Sequence, residues 1–91
     1  MPTLDIKPKA IKFIDSLPPK HKRQLKNQIL SLQDDSMPQD SKKLVGCENY
    51  TRVDSGEYRI IYRHEKDKVT IVLVGKRNDD EVYRVMKRIL K

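Results

Sequence analysis

The sequence predicts an α+β fold in the order β-α-α-β-β-β-α, with an N-terminal helical hairpin packed on an antiparallel sheet. Three observations carry this. Apolar residues recur at helical spacing in two stretches between residues 8 and 33, each opened by a proline. Residues 49–74 alternate, or run apolar, between short turn signals. Helical spacing then returns at Val82, Val85, Met86 and Ile89.

The elements follow in order. Thr3, Leu4, Asp5 and Ile6 alternate as a short strand whose partner the pattern does not reveal. Pro8 suits a first helical turn, where its missing N–H is not needed, and Ala10, Phe13, Ile14 and Leu17 then share a face. Pro18 and Pro19 end that helix, because the residue before a proline resists the helical conformation. Pro19 opens a second helix with Leu25, Ile29 and Leu32 on one face and Lys20, Lys22, Arg23, Lys26 and Asn27 on the other. The two should pair as an antiparallel hairpin.

Residues 34–41 have the polar, proline-containing composition of a loop, and residues 43–46 form a short lead-in. Strands are expected over 49–54, 57–64 and 69–74, joined by turns at Ser55-Gly56 and at residues 66–68. Gly75 breaks the last strand, Lys76 and Arg77 follow at once, and Asp79, Asp80 and Glu81 suit the start of the closing helix.

Ninety-one residues make one domain with a modest core, and with no Trp that core must rest on Ile, Leu and Val. The one cysteine, Cys47, has no internal partner, so a reducing compartment is expected. No apolar run spans a membrane and no apolar signal region opens the chain, so the expected location is the cytoplasm. A net charge of +7 favours nucleic acid or an acidic protein partner without choosing between them. Two histidines and one cysteine lie too far apart in sequence for a metal-site spacing, and no phosphate-binding loop, dinucleotide fingerprint or nucleophile elbow is present.

The charges have a pattern. A two-residue loop at Ser55-Gly56 pairs Asp54 with Glu57, Val53 with Tyr58, and Arg52 with Arg59. Alternation puts Thr51, Val53, Tyr58, Ile60 and Tyr62 on a face suited to the helices, and Tyr50, Arg52, Arg59, Ile61 and Arg63 on the other. Arginines directly opposite one another repel, which folding does not require and a bound anion would. Against this, each arginine alone reads as a solvated or salt-bridged residue, and Asp54 and Glu57 would neutralise the pair. Tyr83 alone reads as a half-buried helix residue, and the cations of the second helix as a solvated face or a nucleic-acid backbone contact.

Four segments together resemble the RelE branch of the RelE/ParE toxin superfamily of type II toxin–antitoxin systems: Lys43-Leu44-Val45-Gly46, Gly56-Glu57-Tyr58-Arg59-Ile60-Ile61-Tyr62, Val74-Gly75-Lys76-Arg77 with Glu81-Val82-Tyr83, and Lys87-Arg88-Ile89-Leu90. The resemblance implies a ribosome-dependent endoribonuclease that cuts mRNA in the ribosomal A site without a metal or cofactor. The ribose 2′-OH attacks the adjacent phosphorus and the 5′-oxygen leaves. Carried over by position, Arg59 holds the scissile phosphate, Arg77 stabilises the transition state, Tyr83 is the candidate base, and Arg52 is a further cation at the phosphate. Lys43, Arg63 and Lys76 are candidate RNA or phosphate contacts. The chain departs from the family where a further lysine is replaced by Tyr50 or Thr51, and Lys43 and Lys76 are the candidates to compensate. The implied partners are a cognate antitoxin, the ribosome with mRNA, and operator DNA only through the antitoxin complex. The same fold also admits a ParE-like poison of DNA gyrase, or an inactive module that acts only with its antitoxin in operator repression.

Overall fold

The computed structural model describes residues 3–35, 41–44 and 47–77, together with the exposed helical positions Arg84 and Arg88. The rest of the expected closing helix, Tyr83 included, lies outside the described residues, as does most of the loop expected over 34–41. Two helices pack on a five-stranded open sheet that is mostly antiparallel, as the sequence predicts.

Strand β1 (Thr3–Ile6) leads into helix α1 (Pro8–Asp15), with Pro8 in its first turn. Ala10 and Ile14 are buried, and Phe13 and Leu17 pack beside them. Helix α2 (Pro19–Asp34) starts at the second proline as expected and buries Leu25, Ile29 and Leu32.

Strands β2 (Lys42–Leu44), β3 (Cys47–Ser55), β4 (Tyr58–Glu65) and β5 (Lys68–Lys76) follow. The spatial order is β1-β5-β4-β3-β2. Thus the expected lead-in is an edge strand in its own right, antiparallel to β3. The partner of β1 is β5, and this is the sheet's parallel pair: Thr3 lies beside Lys68 and Ile6 beside Ile71. Gly75 does not end the last strand. Both Gly75 and Lys76 continue the ladder, opposite Arg59 and Tyr58, because β4 supplies partners to its first residue.

The hairpin register also differs from expectation. The loop is Gly56-Glu57, so Ser55 faces Tyr58, Asp54 faces Arg59 and Arg52 faces Ile61. Gly56 has a φ of 61° and no other described residue has a positive φ. A two-residue loop with glycine first and an ordinary second residue is the type II′ arrangement. A Ser55-Gly56 loop of type I′ would have forced Ser55 into the left-handed region, which costs roughly 1–2 kcal/mol. The turn moves by one residue on both strands, so each residue keeps its face.

One face of the sheet carries the main core under the helices: Val53, Tyr58, Ile60, Tyr62, Val69, Ile71 and Val74. The uneven spacing of the last three has a cause. Ile61 pairs with Leu73 but Tyr62 with Ile71, so Val72 is an extra residue that shifts the phase of β5. The opposite face carries a smaller cluster of Leu44, Ile61 and Leu73, with Tyr50 and Val72 against it.

Candidate active site

The second face holds the charges. Along β3 it presents Tyr50, Arg52 and Asp54; along β4 it presents Arg59, Ile61 and Arg63. These side chains alternate with the core-facing Thr51, Val53, Tyr58, Ile60 and Tyr62, all buried. The split is the one expected from alternation, but the pairing within it is not.

Arg59 is not opposed by Arg52. It is opposed by Asp54, and its Nε donates to Asp54 Oδ1 at 2.7 Å while the same guanidinium reaches Oδ2 at 3.3 Å. The Arg59 side chain is only 14% exposed. A two-pronged carboxylate contact fixes the plane of a guanidinium as well as its position. The hydrogen bond from Arg59 holds the Asp54 carboxyl below its ordinary value of 3.8; partial burial works against this, and the charges of Arg59, Arg52 and Arg77 add to the lowering. Arg59 therefore contacts this carboxylate, and Arg52 and Arg77 lie near enough for their charges to act on it. Together the four residues leave two positive charges uncompensated.

Arg77 follows β5, and its backbone N–H donates to the Glu57 carbonyl at 2.8 Å. That bond ties it to the hairpin loop and so to the strands bearing Asp54 and Arg59. Its side chain is exposed. Gly75, directly opposite Arg59, places no side chain over the guanidinium.

The register distributes the other candidates. Lys43 lies opposite Thr51 and Lys76 opposite Tyr58, both partners facing the helices, so these two lysines stand on the helix-bearing side of the sheet. Lys42 is the lysine that shares Arg52's face, directly opposite it. The sequence does not reveal this placement of Lys42, because the expected lead-in over residues 43–46 carries no register. Arg63 shares the face of Arg59 but lies four residues, about 13 Å, further along β4. Tyr83 lies outside the described residues.

Behind the hairpin, His21 Nδ1 and the Tyr58 hydroxyl share a 2.6 Å hydrogen bond, and Phe13 meets the Tyr58 ring edge-on at 5.8 Å. Gln24 sits against Gly56: a Cβ there would come within 2.9 Å of Gln24 Nε2. Helix α2 thus braces the turn that sets the Asp54–Arg59 pairing. Among the described residues no three His, Cys, Asp or Glu side chains are grouped to hold a metal ion.

Residues 4–81 match the family model described as the ParE toxin of the type II toxin–antitoxin system parDE. A search of curated proteins found no match. Among solved structures, the isolated RelE toxin of E. coli is 26% identical, with 98% of this chain and 99% of that chain covered and a TM-score of 0.73. The RelE chain of the archaeal RelE–RelB complex from Pyrococcus horikoshii OT3 is 28% identical over 85% of this chain and 96% of that chain, with a TM-score of 0.74. A chain of the toxin–antitoxin complex RelBE2 from Mycobacterium tuberculosis shares the fold at 22% identity, covering 85% of this chain and all of that one, with a TM-score of 0.73.

Proposed function

The chain belongs to the RelE/ParE family of type II toxins, and from that premise we propose that it is a ribosome-dependent endoribonuclease that cleaves mRNA in the A site. The observation that carries this reading is the convergence of Arg52, Arg59 and Arg77 around Asp54 on the open face of the sheet. Arg59 and Arg77 belong to the segments that resemble RelE, and Arg52 is the further cation that the resemblance implies at the phosphate.

The reaction is a transfer within the RNA. The 2′-oxygen bonds to the adjacent phosphorus, the bond to the 5′-oxygen breaks, and a 2′,3′-cyclic phosphate remains on the upstream fragment. The proton leaves the 2′-hydroxyl and one is delivered to the departing 5′-oxygen. Negative charge gathers on the non-bridging oxygens as phosphorus becomes five-coordinate. Guanidiniums already fixed in place meet that charge without reorganising. Arg59, held by Asp54, is the positioned cation. Arg77, exposed and tethered through its backbone, supplies the second charge. With a side-chain pKa above about 12, Arg77 acts by charge rather than as the proton donor. Tyr83 is the proposed base; a phenol is an effective base at neutral pH only where nearby cations favour its phenolate. The ribosome supplies substrate alignment, which is worth several orders of magnitude in effective concentration.

RelE structures have been solved with RelB antitoxins in Pyrococcus horikoshii and E. coli. A cognate antitoxin is accordingly the proposed partner here, an acidic or amphipathic segment suited to the basic surface. Operator DNA is reached only through that complex.

A second reading, a gyrase poison, is favoured by one observation: the matching family model is that of ParE. Mapping mRNA ends after induction separates the two. Codon-linked cuts support the nuclease, and DNA damage with intact transcripts replaces it with the gyrase poison. In the nuclease reading, Arg77→Ala lowers single-turnover cleavage about 100-fold or more while the urea midpoint stays put. Undiminished cleavage by that variant would remove Arg77 from the mechanism.

A further inference from the structure

The open face carries a second feature at the end away from the arginine cluster. A pocket of about 460 Å³ lies between Tyr50, Arg63, Thr70 and Val72 of the sheet and Lys7, Pro8 and Lys9 at the junction of β1 and α1. That size falls in the range of small-ligand pockets. Its walls are mostly apolar, with a phenol ring on one side, and its cations stand at Lys7, Lys9 and Arg63. Lys7 is paired with Asp5 at 3.2 Å and Arg63 with Glu65 at 3.3 Å, so the pocket offers the Lys9 charge and the unused Nε donor of Arg63. Arg63 is held loosely. Its Nε is buried without a hydrogen bond, and Glu65 Oε1, 3.3 Å away, lies within ion-pair range but off the N–H direction. A buried donor without an acceptor costs on the order of 1–3 kcal/mol and gains from a ligand that accepts from it.

We infer that this pocket is a nucleotide subsite, taking one base of a single-stranded RNA against Tyr50 and the accompanying phosphate against Arg63 and Lys9. The inference rests on the nuclease reading and extends it from the cut phosphate to a neighbouring nucleotide. Three points favour this occupant. The apolar walls and phenol suit a planar ring, and base–aromatic stacking is sequence-tolerant. The cations suit the phosphate attached to that ring. The pocket also continues the face bearing Arg59, about 13 Å away by strand rise. Even at a stacked spacing of about 3.4 Å per nucleotide, one strand spans that distance in about four nucleotides. An acidic peptide matches the cations but not the apolar walls and phenol.

The test places a single abasic nucleotide at successive positions flanking the cut in a ribosome-bound mRNA and measures single-turnover cleavage by the full chain. One flanking position should slow the wild-type protein about fivefold or more, the scale of one lost stack. With Tyr50→Ala the intact mRNA should be cut more slowly by the same factor, and the abasic site should cost nothing further. Tyr50→Phe should behave as wild type. Lys9→Glu, at an exposed position that leaves the core alone, should slow cleavage and make its salt dependence shallower. Wild-type cleavage indifferent to every abasic position, or equal abasic penalties in wild type and Tyr50→Ala, would overturn the subsite and leave the nuclease reading standing. An absence of any wild-type cleavage overturns both. If instead Tyr50→Ala and Lys9→Glu weaken binding of an antitoxin peptide while leaving cleavage unchanged, the occupant is the peptide and the RNA assignment is wrong.

Discussion

The two faces of one sheet obey different rules. The helix-bearing face packs Val53, Tyr58, Ile60, Tyr62, Val69, Ile71 and Val74 into a continuous core with Leu25, Ile29 and Leu32. Its buried polar members, Thr51 and Ser55, are small. The open face has a small apolar centre at Leu44, Ile61 and Leu73, with arginines toward both ends. At the hairpin end Arg59 is clamped by Asp54; at the far end Arg63 lies in a pocket with its Nε unbonded. The first face is built for stability. The second spends some of it, since clustered cations repel and the buried Nε of Arg63 lacks an acceptor. Stability lost without an apparent structural return is what a binding surface is expected to show.

Substitutions on the two faces should therefore separate stability from activity. Ile60→Ala, fully buried under the helices, should cost about 2–5 kcal/mol in urea unfolding. A loss below about 1 kcal/mol would mean that this face is not the tightly packed one. Gly56→Ala should cost about 1–2 kcal/mol, because the turn requires a positive φ and the new methyl meets Gln24. The same variant should reduce cleavage, since the turn sets the partner of Arg59. Full activity in a destabilised Gly56→Ala protein would uncouple the turn from the site.

Asp54→Asn gives a pH-dependent result with a definite sign. The Asp54 carboxyl is lowered in the folded chain, so its contribution is complete above the ordinary value of 3.8 and is lost as pH falls through the lower folded value. The variant should be less stable than wild type by on the order of 1 kcal/mol near neutral pH. The two proteins should converge as the pH drops below 3.8. A gap that persists unchanged into acid would show that the ion pair is not its source. The smallest effect is expected at a like-charged pair on the sheet edge. Lys42 and Arg52 are directly opposite, so Lys42→Glu should stabilise the edge by about 0.2–1 kcal/mol while weakening RNA binding. Stabilisation without any loss of cleavage would place Lys42 outside the site.

The sequence by itself determined the first two helices, the three long strands and the face on which each sheet arginine stands. Prolines and helical spacing depend only on local backbone rules, and face depends only on parity, which survives a turn displaced by one residue along both strands. That is why Arg52, Arg59 and Arg63 were legible as one face, and why Arg77 was legible at the end of a strand. The tertiary structure decided what alternation leaves open. It set the partner of β1, the register that gives Arg59 an aspartate rather than an arginine, and the extra residue at Val72. It also set the far pocket, whose walls come from β3, β4, β5 and the start of α1. Those features depend on which strands become neighbours and on Gly56 accepting a positive φ against Gln24. Contacts between distant segments fix them, and no local pattern carries that information.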